Sequence, residues 1–138
     1  MRLATFLAGI LVAGGVLAAG DGAAGLIAEA DNHWAAGRLE EAQQSFEAAV
    51  AAEPDSAAPL LRLAGFHLSQ MHGGASIAGY QRAIGLEPRN TRAWLGLGLA
   101  YLHGGRKDLA RASFDEAMRI DPRQKERLAG LVGGLERD

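Results

Sequence analysis

Along the chain, apolar and small residues recur at helical spacing, and the arrangement returns every 34 residues. Ala42, Phe46, Ala49 and Pro54 are followed by Ser76, Tyr80, Ala83 and Pro88, then by Ala110, Phe114, Ala117 and Pro122. In each set the first three side chains share one helical face, and the proline closes the helix. A fixed period of this length marks a repeat architecture. With each proline at position 32, three 34-residue units follow without insertion, at 23–56, 57–90 and 91–124.

A second apolar stripe precedes the first in each unit. Unit three carries Trp94, Leu97, Gly98 and Tyr101; unit two carries Leu60, Leu63, Ala64 and His67. Unit one keeps Leu26 and Ala30 but departs at Glu29 and His33. Each unit therefore predicts two helices. Gly37 and Gly105 supply tight turns between them in units one and three. In unit two the glycines fall two places later, at Gly73 and Gly74, which predicts a displaced turn. A last helix is predicted over Gln124–Leu135, with Leu128, Leu131, Val132 and Leu135 as its apolar stripe. It would shield the flank of unit three, as solenoid ends require. Gly130, Gly133 and Gly134 each weaken it by about 1 kcal/mol, so fraying is expected beyond Leu131.

Unit three, with Trp94, Leu97, Gly98, Tyr101, Ala110, Phe114, Ala117 and Pro122, resembles the tetratricopeptide repeat family at all eight positions of its W-x2-L-G-x2-Y…A-x3-F…P pattern. The resemblance implies an all-α chain, a right-handed solenoid of three helix pairs plus a C-terminal capping helix over 125–138. Packing arguments agree. Ala30, Ala64 and Gly98 allow close approach of the two helices of a unit, matched by Ala42, Ser76 and Ala110. Phe46, Tyr80 and Phe114 fill the wedges between units.

The resemblance also implies a concave face lined by the first helix of each unit. Carried onto this chain, that face holds Ala24, Ile27, Asp31, Trp34 and Ala35, then Ala58, Leu61, Gly65, Leu68 and Ser69. Unit three adds Arg92, Leu95, Leu99, Leu102 and His103. The candidate peptide-binding groove is accordingly Ile27, Asp31, Trp34, Leu61, Leu68, Arg92, Leu95, Leu99 and Leu102. The stretch Ala93 to Leu102 is apolar nearly all round, and such a helix is buried on both faces. Left bare, the second face would exceed ordinary exposed patches of a few hundred Å². Three covers remain open: a partner peptide or helix, a second copy of the chain, or the C-terminal helix or a tight superhelix folding over it. Some family members grip a C-terminal carboxylate with Lys and Asn on this face. Ile27, Asp31, Leu61, Gly65, Leu95 and Leu99 stand there instead, which disfavours that ligand. Asp31 and Arg92, at opposite ends, would orient a polar group.

Composition narrows the partner classes. The formal net charge is -2, so nucleic acid and anionic membrane surfaces are not favoured. Valine, isoleucine and threonine are sparse, which argues against sheet. The chain has no cysteine, excluding disulfides and Cys-based metal sites. Arg2 followed by the uncharged run Leu3 to Ala19 describes a secretory signal over residues 1–20. An uncleaved anchor is the alternative, and the only expected membrane contact.

His67 and Met71 share a helical face beside His72, a spacing compatible with a copper or haem contact. The simpler reading makes His33 and His67 packing residues, with His72 and His103 near turns. Arg106, Lys107 and Arg111 read as a solvated basic cluster. No paired metal ligands or phosphate loop appear, and no cofactor and no catalysis are expected. The expected function is a protein-binding scaffold or adaptor in the bacterial cell envelope. Location is periplasmic or secreted, or inner-membrane anchored facing the periplasm. Its resemblance implies a role in assembling envelope complexes, and the alternative is a self-associating module.

Overall fold

A computed structural model describes residues 22–137. The signal or anchor expected over residues 1–20 lies outside the described residues. Seven helices follow in order: α1 (Gly22–Ala35), α2 (Leu39–Ala52), α3 (Ala57–Ser69), α4 (Gly73–Leu86), α5 (Thr91–His103), α6 (Lys107–Ile120) and α7 (Gln124–Leu135). They form three tight pairs, α1 with α2, α3 with α4 and α5 with α6, and α7 packs more loosely on α6. This is a solenoid of three helix pairs with a capping helix.

Helices α2, α4 and α6 each end two residues before a proline. Pro54, Pro88 and Pro122 lack the N–H that would extend the ladder, and they push the preceding residue out of the helical region. Glu53, Glu87 and Asp121 occupy those preceding places, and each donates its backbone N–H back to Ala49, Ala83 or Ala117. Asn90 starts α5, its side-chain oxygen accepting from the Ala93 N–H at 3.2 Å. At the α6–α7 joint, the Arg123 guanidinium and the Gln124 amide donate to Asp121 and hold its carboxyl down at about 2.

The core lies between the helix layers. Ala30, Ala42, Ala64, Ala110 and Ala117 are fully buried. At Gly98 a methyl group would lie 2.4 Å from the Phe114 ring, so only glycine permits that approach. Phe46 and Phe114 are fully buried, and Tyr80 nearly so. Phe66, which the repeat pattern does not single out, packs 5.6 Å from Phe46 and edge-on to Trp34 at 5.5 Å. That aromatic cluster joins units one and two.

The unit-two turn corrects the sequence expectation. It is not displaced: Gln70, Met71 and His72 join α3 to α4, and Gly73 already begins the helix. Met71 takes φ 61, where Gly37 and Gly105 take 74 and 72. The tight turn needs a left-handed residue at this place, and tertiary packing imposes it on methionine. A second correction concerns α7, which stays helical to Leu135, past the expected fraying point. Arg111 on α6 donates to Glu136 at 2.9 Å and ties down that end.

First helices touch one another along the stack, α1 with α3 and α3 with α5, whereas α2, α4 and α6 do not. Closeness on one side only bends the stack, so α1, α3 and α5 line its inner, concave side.

Candidate functional site

The inner side is built from helix positions that the core leaves over. Leu26, Ala30, Leu60, Ala64, Leu97 and Ala100 point into the stack and are buried. Ile27, Leu61, Leu68, Leu95 and Leu102 stand beside them on the helix surface and are half-buried. Leu99 is exposed at 38% and Arg92 is exposed as well.

Three hollows follow this side. One of about 490 Å³ is lined by Asp31, Trp34, Ala35 and Arg62. A second, about 290 Å³, is lined by Ile27, Ala58, Leu61 and Arg62 together with Glu87, Asn90 and Arg92. Arg62 lines both. The third, about 260 Å³, places Leu95 and Leu99 beside Phe114 and beside Gln124, Arg127 and Leu128 of α7.

Seven of the nine candidate residues line these three hollows. Ile27, Leu61, Arg92, Asp31 and Trp34 line the first two hollows, and Leu95 and Leu99 the third. Leu68 lies elsewhere, in a small hollow of about 100 Å³ with Met71 and His103. Leu102 lines none of the three. Trp34 is also partly committed to the core, edge-on to Phe46 at 6.2 Å as well as to Phe66.

Electrostatics revise one expectation. Asp31 is not left to orient a ligand opposite Arg92, because the Arg62 guanidinium donates to it across α1 and α3. Sequence reading overlooked Arg62, one place from the assigned inward position of Leu61; its length carries it into the groove. Arg92 makes no ion pair among the described residues. Its charge faces Tyr80, whose hydroxyl burial pushes above the ordinary phenol value and Arg92 pulls back.

Histidines divide into two kinds. His33 is not simply a packing residue: its Nδ1 accepts from Arg38 Nε at 3.0 Å, and its Nε2 lies 3.5 Å from Glu29. That polar network occupies the outer flank of α1, where Leu63 and Leu97 stand in the later units. His103 Nδ1 donates to the Leu99 carbonyl at 2.9 Å. His67 packs against Phe66 with ring centroids 5.9 Å apart. Among the described residues, no three His, Asp or Glu side chains converge to hold a metal ion. No described helix is long and apolar enough to cross a membrane.

Sequence comparison matches the Tetratricopeptide repeat family over residues 33–72 and again over 73–125. The chain belongs to the tetratricopeptide repeat family. The TPR assignment accounts for both the 34-residue period and the helix pairing. Protein CTR9 homolog of Arabidopsis thaliana is 32% identical over 98 residues, covering 70% of this chain but 9% of that protein. Among solved structures, the first TPR of Spaghetti (RPAP3) bound to an HSP90 peptide superposes with TM-score 0.77 at 15% identity. It covers 89% of this chain and 97% of that one. The type III secretion translocator chaperone SycD of Yersinia enterocolitica gives 0.74 at 18% identity, covering 83% and 91%. At these identities the likeness is one of fold. This chain is a TPR module of three helix pairs with a capping helix.

Proposed function

We propose that this TPR protein is a binding scaffold or adaptor whose concave side takes an apolar peptide or helix. The observation that carries the reading is the surplus of apolar residues on that side. Leu61, Leu95, Leu99 and Leu102 remain partly open to water, and of these Leu61 also packs against the core. An amphipathic helix laid into such a groove buries its anchors against several helices at once. TPR domains of the same shape have been solved with HSP90 and HSP70 peptides bound, which supports a peptide as the class of ligand. Here the Asp31–Arg62 pair cancels two charges of the groove, while Glu87 and Arg92 stay at the second hollow to meet a polar group of the ligand.

The cell envelope is the proposed setting. Arg2 and the apolar run Leu3 to Ala19 support export, with cleavage giving a periplasmic or secreted form and retention an inner-membrane anchor. Assembly of an envelope complex is the corresponding role. Replacing Leu95 and Leu99 together by Asp tests the groove. The double variant should keep its helicity by circular dichroism and lose co-purifying partners from the native host at least tenfold. Undiminished capture by a still-helical variant contradicts the reading. Loss of a dimer by sedimentation, instead of loss of a foreign partner, would assign the face to a second copy.

A further inference from the structure

The turn of unit two holds a pair of imidazoles that the groove does not use. His67 lies near the end of α3 and His72 immediately before α4, and their ring centroids are 6.0 Å apart. The Nδ1 atom of His67 is buried and has no hydrogen-bond partner. Buried polar atoms without partners are uncommon and call for a physical explanation.

Internal repetition supplies a comparison for this nitrogen. His33 and Arg38 occupy the equivalent places of unit one, 34 residues earlier. There the Arg38 Nε donates to the His33 Nδ1 at 3.0 Å. A cationic donor therefore completes the position in unit one. In unit two the arginine is replaced by His72, an exposed side chain, and the His67 Nδ1 has no hydrogen-bond partner.

From this juxtaposition we infer that His67 and His72 form a two-imidazole site for a late first-row divalent cation. Imidazole nitrogens bind Cu²⁺ and Zn²⁺ at about 2.0–2.1 Å, which sets ring centroids sharing one ion roughly 4.5 Å apart at a right angle, about 5.2 Å at the tetrahedral angle and about 6.4 Å when opposed. The observed 6.0 Å lies between the tetrahedral and the opposed arrangements, so the two rings would embrace the ion at a wide angle. A cation here would stand where the guanidinium stands in unit one. Water fills the other coordination positions, since no third His, Asp or Glu converges among the described residues. The order of affinity places Cu²⁺ ahead of Zn²⁺. The neighbouring charge is favourable: Glu47 of α2 faces His67 and acts electrostatically on it.

Calorimetric titration of the chelator-stripped full chain with Cu²⁺ and with Zn²⁺ tests the site. One ion per chain is expected, with Cu²⁺ the tighter. His72→Arg installs the residue of unit one on an exposed position, so the fold is retained while the ligand is lost. Affinity should fall at least tenfold in this variant and in His67→Gln, and stay unchanged in His33→Gln and His103→Gln. Absence of saturable binding by the parent chain overturns the inference. So does binding that persists in His72→Arg, or that disappears with His103→Gln.

Discussion

A methyl group on Gly96 would lie 2.2 Å from two ring carbons of Tyr80, which is itself nearly buried. Gly96→Ala gains about 1 kcal/mol of helix propensity but forces the ring out of place, at a cost of about 1–3 kcal/mol. The packing cost wins, and the thermal midpoint should drop by a few degrees. Gly85, on the same helix as Tyr80, meets nothing within 4 Å. Gly85→Ala should leave the midpoint unchanged or raise it; equal behaviour of the two variants contradicts this account of the interface. His67 gives a second residue-scale outcome. Burial lowers its pKa, His72 lowers it further, and Glu47 of α2 partly offsets both. The unfolded chain takes up a proton near the usual value of about 6.5, while the folded chain resists it. Fewer protons on the folded state means stability that rises with pH. The contribution is intact above about 6.5 and is lost as pH falls through that value towards the folded pKa. Thermal midpoints with chelator present should therefore decline in that window, and His67→Gln should flatten the decline. An unchanged slope in the variant rules His67 out as its source.

At the scale of the element, the three turns share one geometry despite different sequences. Met71 is 70% exposed and held at φ 61, so its side chain contributes little packing against the cost of the left-handed backbone. Met71→Gly should stabilise the chain by about 0.5–1 kcal/mol, after allowing for the greater freedom of glycine when unfolded. Chemical denaturation checks it; a lower stability would mean that Met71 holds the turn through contacts of its own. Helix pairing and helix ends were legible because the prolines and the small-residue positions recur in register. The unit-two turn was not, because Gly73 and Gly74 suggested a shift while the left-handed requirement fell on a methionine. Phe66 was missed for a related reason: its burial comes from Trp34 and Phe46 of the neighbouring unit, a contact that no single unit's pattern contains. Glu29 and His33 read as defects in the pattern. In the structure they join Arg38 in a polar network on the flank of α1.

At the scale of the whole molecule, curvature decides what is a groove. Contacts between α1, α3 and α5, without counterparts between α2, α4 and α6, turn the surplus leucines towards one another. Their placement on one side followed from the repeat register, but the way they are covered did not. α7 places Leu128 across the third hollow from Leu95 and Leu99, so the chain itself supplies one wall of it. The first two hollows remain open and meet at Arg62. Charge on this side is likewise a product of the fold, since the Asp31–Arg62 pair joins residues 31 apart in sequence. The most direct measurement of the central claim is site-specific photo-crosslinking in the native host. A photoreactive residue is placed at Leu61 or Leu99 on the concave side, or at Ala78, which is exposed on α4 of the outer layer. The account predicts a discrete adduct from Leu61 and Leu99 and none from Ala78. Adducts that form equally from Ala78, or from no position, would contradict a binding groove on the concave side.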